Sequence, residues 1–280
     1  MKSIVPEGYP ELTSGLLRSA CPIASFFDMI MGWFSWLVVA FMGLIAKMSP
    51  VVPSFDISMC LRKRFVYDRV VDAINNGAKQ VLVLGGGYDV LILNLAPKYP
   101  DVLFIEVDHP KTSVFKRSAI ENLGFNYPNI RYLPIDLSVW KLEEKISEEC
   151  RAWNKDVKSV LVAEGLLMYL TPEAIRQCLR SMKAITPIGS TFVFSYLTQY
   201  DFGGSKSLSK INKAMIYIVG EPLHWVPDSA DEVSKLISDE GYVVDVSPKQ
   251  SDNYQQYLAK FGKLNCYNAY VNKNGIAISK

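Results

Sequence analysis

Three adjacent glycines and four acids carry the chemistry that this sequence can do. Gly85, Gly86 and Gly87 stand directly after the apolar run 81–84, and Glu106 and Asp108 close a second apolar run, 102–105. Asp136 follows the run 131–135, and Glu164 follows the run 159–163. A glycine turn lets backbone approach a ligand with no Cβ in the way. Carboxylates beside it can accept hydrogen bonds from sugar hydroxyls or from an amino group. The intervals are 21 residues from Gly85 to Glu106, 30 from Glu106 to Asp136 and 28 from Asp136 to Glu164. Each interval is one strand–helix unit, so all four positions fall on one edge of a parallel sheet. Open α/β sheets bind their ligands at that edge. One polar strand end means little, but four in register are hard to explain by structure alone.

The glycine spacing separates ligand classes. A dinucleotide fingerprint, G-x-G-x-x-G, keeps its last glycine inside the following helix. Here Gly87 is followed by Tyr88, Asp89 and Val90, so that glycine is missing and a nicotinamide dehydrogenase is disfavoured. No G-x-x-x-x-G-K-[ST] loop occurs, which excludes a P-loop. G-G-G-x-D followed by E-x-D resembles instead motif I of methyltransferases that use S-adenosylmethionine (SAM). SAM has no pyrophosphate, so a helix start tuned to phosphate is not required.

The elements that must position these residues follow from hydrophobic pattern. Short apolar runs bounded by glycine or acid read as buried parallel strands at 81–84, 102–108, 131–135, 159–163 and 191–197. Helices are expected at 12–20, 56–74, 111–123, 139–153, 172–185 and 230–240. The helix at 56–74 carries Arg62, Lys63, Arg64 and Asp68 just before the first strand. A solvated face accounts for that charge run, while its place in the chain makes Arg62 and Arg64 candidates to hold an anion. Residues 242–246 and 266–271 are expected to form a reversed hairpin closing the sheet. The fold class is therefore α/β, a doubly wound, mostly parallel, seven-stranded Rossmann-like sheet.

Composition narrows the function classes. The chain has 280 residues, 49% hydrophobic and 21% charged, enough for a substantial core. Its 30 basic and 28 acidic residues give a formal charge of +2, which gives no reason to expect a nucleic-acid partner. Five widely spaced cysteines without a CxxC read as reduced thiols of a cytoplasmic protein. Two histidines, His109 and His224, offer little basis for a metal site or a histidine triad.

Two stretches break the pattern. Residues 29–46 carry no formal charge and include Trp33, Phe34, Trp36 and Phe41. At 18 residues the stretch is short for a membrane span, which needs about 20. Helices that cover the site or a dimer interface, a peripheral membrane contact or apolar-substrate lid, and a true span all remain open readings. Residues 1–57 are thus expected to form a helical lid or interface segment ahead of a domain over 58–280. The second stretch, 198–226, contains an expected helix at 208–219 and reads as an insertion capping the acceptor pocket.

The motifs together resemble the leucine carboxyl methyltransferase family, in particular its bacterial O-methyltransferase branch. The matching pieces are LRKRFVYD at 61–68, QVLVLGGGYD at 80–89, FIEVDHP at 104–110, PIDL at 134–137 and VAEGLLMYLTPEA at 162–174. GEPLHW at 220–225 matches a late segment. The resemblance implies SAM as cofactor, S-adenosylhomocysteine as product and a small-molecule methyl acceptor. It implies that Arg62 holds the methionine carboxylate and that Gly85, within the Gly85–Gly87 turn, passes the methionine part. Asp108 takes the ribose, with Glu106 on the same strand face. Asp136 accepts from the adenine amino group and Leu137 contacts the ring. Glu164 lies near the methionine amino group, and Tyr169 faces the acceptor.

Two departures stand out. The family continues its turn as D-T-R-x-x-R-L, whereas Asp89 is followed by Val90 and Leu91, and Asn94 stands at the second arginine. The N-terminal basic residue that helps clamp SAM has no secure counterpart beyond Arg18. The expected activity is O-methyl transfer to a hydrophobic small molecule, with a carboxylate acceptor needing no base. A hydroxyl acceptor would need one, from His224 or Tyr169, although His224 reads equally as a capping residue. The lost arginines motivate the alternative of a methyltransferase-fold protein that binds SAM or S-adenosylhomocysteine without catalysis.

Overall fold

The computed structural model describes residues 5–20, 55–138, 141–199, 222–245 and 274–279. The expectations for residues 29–46, for the helix at 208–219 and for a strand at 266–271 lie outside them. Helices α1 (Tyr9–Ala20) and α2 (Phe55–Asn75) precede the sheet. Then follow β1 (Gln80–Leu84), α3 (Leu91–Leu95), β2 (Leu103–Asp108), α4 (Pro110–Asn122) and β3 (Ile130–Pro134). Next come α5 (Leu142–Glu149), β4 (Ser159–Ala163), a short 3₁₀ turn (Leu167–Tyr169), α6 (Pro172–Ala184) and β5 (Thr191–Ser195). The chain ends on α7 (Ala230–Asp239), β6 (Tyr242–Asp245) and β7 (Asn274–Ser279).

The strands form one seven-stranded sheet in the order β3-β2-β1-β4-β5-β7-β6. The first five run parallel, and β7 lies antiparallel between β5 and β6. The doubly wound sheet expected from the sequence is therefore the fold observed. One boundary differs. The strand that pairs with β6 is Asn274–Ser279, further along than 266–271. Its NGIAIS sequence alternates, and the ladder that sets Ile278 opposite Thr191 and Val243 selects it.

Alternation along each strand builds two cores. Val81, Val83, Phe104, Val160, Val162 and Val193 face the side covered by α1–α4. Leu82, Leu84, Ile105, Leu161, Phe192 and Phe194 face the side covered by α5–α7. Strands buried on both faces are near-continuous apolar runs; all five residues of β1 are buried, residues 81–84 being apolar and Gln80 hydrogen-bonded to Asn154 and Ser159. Burying one such side chain contributes about 1.5–3 kcal/mol. The helices start where local chemistry allows. Thr171 Oγ1 accepts from Ala174 N at 3.2 Å ahead of Pro172, and His109 caps α4 ahead of Pro110.

Among the described residues no helix is long and apolar enough to cross a membrane. The segment after the second break returns to the sheet edge through backbone contacts. His224 N and Trp225 N donate to Met168 O at 2.8 and 3.2 Å, and Gln199 N donates to Pro227 O at 3.1 Å.

Candidate functional site

Strand register fixes the site. Leu84 pairs with Val107 in the β1–β2 ladder, and Gly85 N donates to Val107 O at 2.8 Å. Asp108 pairs with Pro134, and Ile135 N donates to Asp108 O at 2.9 Å. The ends of β1, β2, β3 and β4 therefore stand side by side, with β1 and β4 flanking the point where strand order reverses. That reversal is where a doubly wound sheet opens a crevice.

The glycine turn is built for close approach. Gly85 and Gly87 take φ of +63° and +49°, values that L side chains rarely adopt. Gly86 has an ordinary φ but no space, because a Cβ there would lie 2.4 Å from Glu106 Cδ. Gly87 N donates to Asp108 Oδ2 at 2.5 Å and His109 N donates to Asp108 Oδ1 at 2.6 Å. Each Asp108 oxygen is thereby oriented by one backbone N–H and keeps capacity for a further donor.

These ends open onto a cavity of about 460 Å³. Gly85, Gly87, Asp108, Asp136 and Leu137 line it, and so do Tyr169 and His224. Asp136 Oδ1 accepts from Ser138 N at 2.9 Å and from Ser138 Oγ at 2.6 Å. Those hydrogen bonds, chiefly the hydroxyl one, hold its carboxyl below the usual carboxylate range. Asp136 Oδ2 faces His109 Nε2 at 3.8 Å. His109 Nδ1 accepts from Lys111 N at 3.3 Å, so a neutral ring carries its proton on Nε2, toward Asp136.

Arg62 and Glu164, which the resemblance sets on the methionine side, stand behind Gly165 rather than in the cavity wall. Arg62 Nε donates to Glu164 Oε1 at 2.8 Å. A Cβ on Gly165, which itself lines the cavity, would lie 3.7 Å from Arg62 Nη2. Gly165 takes φ of +70° and its N–H donates to Ser195 Oγ at 2.8 Å. The AEGLLMY stretch thus turns sharply at the end of β4 and presents Tyr169 to the cavity. Arg64, the other expected anion holder, is committed to Asp68 one turn along α2, at 2.9 Å.

Glu106 corrects the sequence reading. It shares a strand face with Asp108 but sits inside the ladder, opposite Val83 and Tyr132. Its oxygens accept from Lys116 Nζ at 2.6 and 2.7 Å beneath the glycine turn. Burial pushes its carboxyl up to about 7 against the pull of Lys116. Glu106 supports the turn from below and does not line the cavity.

Sequence reasoning missed two participants. Lys63 contacts both Asp89 and Glu164, the latter at 3.0 Å. Tyr9, at the start of α1, is buried, and the nearby charge of Asp89 adds to burial in holding its hydroxyl above the usual phenol range. Lys63 reads as one charge of a basic run, and Tyr9 lies in a stretch rich in proline and glycine, so neither stands out from the sequence.

The strand order, the glycine turn and the acids at successive strand ends define a Rossmann-like fold of the class I SAM methyltransferase type. A crystal structure of a provisionally named methyltransferase from Thermobifida fusca shares this fold. Its TM-score is 0.57 at 18% identity, over 82% of this chain and 84% of that one. The leucine carboxyl methyltransferase family profile matches residues 37–183, and the chain belongs to that family. Provisionally named SAM-dependent methyltransferases are similar to it. One from Mycolicibacterium gilvum is 32% identical over 154 residues, 53% of this chain and 48% of that protein. One from Mycobacterium ulcerans is 27% identical over 155 residues, 54% and 50% respectively. The chain spans about half the length of the curated relatives it matches.

Proposed function

We propose that the chain is a SAM-dependent O-methyltransferase acting on a small hydrophobic acceptor, and that the acceptor oxygen belongs to a carboxylate. The observation that carries the reading is that three successive strand ends contribute Gly85, Gly87, Asp108, Asp136 and Leu137 to one cavity. These residues fit the cofactor. Asp108 keeps acceptor capacity for a ribose diol, Asp136 Oδ2 for the adenine amino group, and Leu137 an apolar contact for the ring. Arg62 suits the methionine carboxylate through the planar fork of its guanidinium. Glu164 suits the ammonium. The family assignment and the names of the relatives point the same way.

SAM supplies a methyl already activated on a sulfonium. The protein's task is then to bind, to align and to exclude water, and alignment alone can contribute about 7–11 kcal/mol. A carboxylate acceptor, with a pKa of about 4, is ionised at neutral pH and needs no base. Leu166, Leu170 and Pro222 beside Tyr169 give the acceptor end of the cavity an apolar wall. A hydroxyl acceptor would need a base, and Tyr169 and His224 are the candidates.

Calorimetric titration with SAM and S-adenosylhomocysteine tests the cofactor, with Asp136→Ala as the control. Saturable binding lost in the variant is the expected result; no binding by the wild type rejects the reading. Turnover of methyl-labelled SAM against hydrophobic carboxylic acids tests the reaction. Binding without turnover on any acceptor favours the catalytically silent alternative.

A further inference from the structure

The end of β4 is more heavily charged than a single carboxylate–arginine pair requires. Glu164 Oε1 accepts from Arg62 Nε at 2.8 Å and lies 3.0 Å from Lys63 Nζ. Among the described residues no hydrogen bond reaches Glu164 Oε2. Two cations on one oxygen fix the carboxylate plane and leave the other oxygen for a positively charged ligand group. Lys63 also binds Asp89 Oδ2. Asp89 Oδ1 accepts from Leu91 N at 2.6 Å, and Asp89 N donates to Gly86 O at 2.9 Å. Asp89 therefore joins the glycine turn to the first residue of α3. A single ammonium group ties α2 to the glycine turn and to the end of β4 at once.

The network continues into α1. Tyr9 is 5% exposed, its hydroxyl is held well above the usual phenol range by burial and by the nearby charge of Asp89, and its ring stacks edge-on to Tyr67 with ring centroids 6.1 Å apart. Tyr67 lies on α2, four residues after Lys63, and so on the same helix face. Through the ring contact with Tyr67, Tyr9 brings the start of α1 beside the helix face that carries Lys63.

We infer that Lys63 is a positioning residue for the amino-acid end of the cofactor, and that Tyr9 extends its network so that docking of α1 and cofactor binding support each other. The inference rests on the SAM reading above. Lys63 holds Glu164 so that Oε2 meets the methionine ammonium, and holds Asp89 so that the turn keeps its shape. Without Lys63 the Glu164 carboxylate is free to rotate onto Arg62 in a bidentate pair, which would remove both the ammonium acceptor and the carboxylate donor at once.

The test compares two ligands on the full chain. S-adenosylhomocysteine carries the amino-acid end; 5′-methylthioadenosine shares its nucleoside and lacks the ammonium and carboxylate. Calorimetric titration of Lys63→Met is expected to show about tenfold or greater loss for S-adenosylhomocysteine, the scale of one charge-assisted contact. Affinity for 5′-methylthioadenosine stays within about twofold on the same reasoning. Lys63→Arg restores part of the loss. Tyr9→Phe, which keeps the ring and its packing, gives a smaller loss with the same ligand selectivity. Equal losses for both ligands make Lys63 merely structural and overturn the inference, as does unchanged affinity for S-adenosylhomocysteine. Wild-type protein that binds neither ligand overturns the cofactor reading and the inference with it, whereas normal wild-type binding with an indifferent Lys63→Met removes the inference alone.

Discussion

Lys116 Nζ sits 2.6 and 2.7 Å from the two carboxylate oxygens of Glu106, and both side chains are almost completely enclosed, at 1% and 3% exposure. The pair lies under Gly86, so the glycine turn at the cavity rests on an ion pair inside the protein. Breaking such a pair from one side leaves an uncompensated charge and costs about 3–5 kcal/mol. Lys116→Met is expected to lower stability by that amount in urea unfolding. Glu106→Gln with Lys116→Met is expected to recover much of it. A double variant no better than Lys116→Met would show that the charge of Glu106 is not the source of the cost.

The same burial gives a pH signature. An unfolded glutamate titrates near its ordinary 4.5, and Glu106 is pushed up to about 7 in the folded chain. Between those values the folded state binds the extra proton, so its stability is fullest below 4.5 and falls as pH rises toward 7. The loss is at most about 3 kcal/mol across the window. Urea midpoints for the wild type and Glu106→Gln, measured between pH 4.5 and 8, should diverge in slope only below about 7. Parallel curves would remove Glu106 as the titrating group.

Gly86 and Gly87 separate two reasons for being glycine. A Cβ on Gly86 collides with Glu106 Cδ at 2.4 Å, whereas one on Gly87 meets nothing within 4 Å and is opposed only by its φ of +49°. Overpacking costs about 1–3 kcal/mol, and a left-handed non-glycine residue about 1–2. Gly86→Ala should lower the melting temperature at least as much as Gly87→Ala. In a background of Glu106→Ala with Lys116→Met, which removes the buried pair as a whole, Gly86→Ala should cost less than it does in the wild type, because the atoms that the new methyl strikes are gone. That background leaves Gly87→Ala as the control that no change at residue 106 relieves.

How much of this was legible depended on whether a residue's partner lay in its own strand or across the fold. The strand ends could be read because each joins an apolar run to a glycine or an acid, and the run fixes which edge it reaches. Helix α4 was legible as an element, but its inward face was not, since it inverts the usual rule. Val114 and Phe115 are each 61% exposed while Lys116 between Phe115 and Arg117 is sealed. Only the acid on β2 explains a lysine facing inward, and no helical period reveals it. Lys63 was hidden for the opposite reason, standing among basic neighbours that looked solvated. The partners of Asn94, at the missing family arginine, were hidden in a third way. Asn94 is buried, its Nδ2 donates to Glu7 O at 2.8 Å, and its Oδ1 accepts from Lys98 Nζ at 2.7 Å.

Asn94 therefore tethers the N-terminal segment to α3 where a longer side chain was expected. Asn94→Ala would leave the Glu7 carbonyl without its donor and release Lys98. A loss of about 1–2 kcal/mol follows from one buried hydrogen bond to backbone and one to a charged group. Amide exchange localises it: faster exchange in 9–20 than in the strands is expected. Uniform acceleration over the whole chain would mean that Asn94 supports the core rather than the attachment of α1.

The acceptor chemistry decides what Tyr169 and His224 do. Both line the cavity, and His224 is held there by its N–H to Met168 O at 2.8 Å, a contact of its backbone. With a carboxylate acceptor neither side chain has a proton to take. Tyr169→Phe and His224→Gln should then change KM through altered contacts and leave kcat within about threefold. The kcat profile should be flat above the acceptor's own pKa, since no base must lose a proton first. With a hydroxyl acceptor one of the two variants should lose about a hundredfold or more in kcat, the usual contribution of a positioned base. A methyl-transfer assay on each variant, with kcat and KM read separately over pH 5–9, distinguishes the two. Near-normal kcat in both variants, together with a flat profile, supports the carboxylate. A collapse in either one overturns it and names the base.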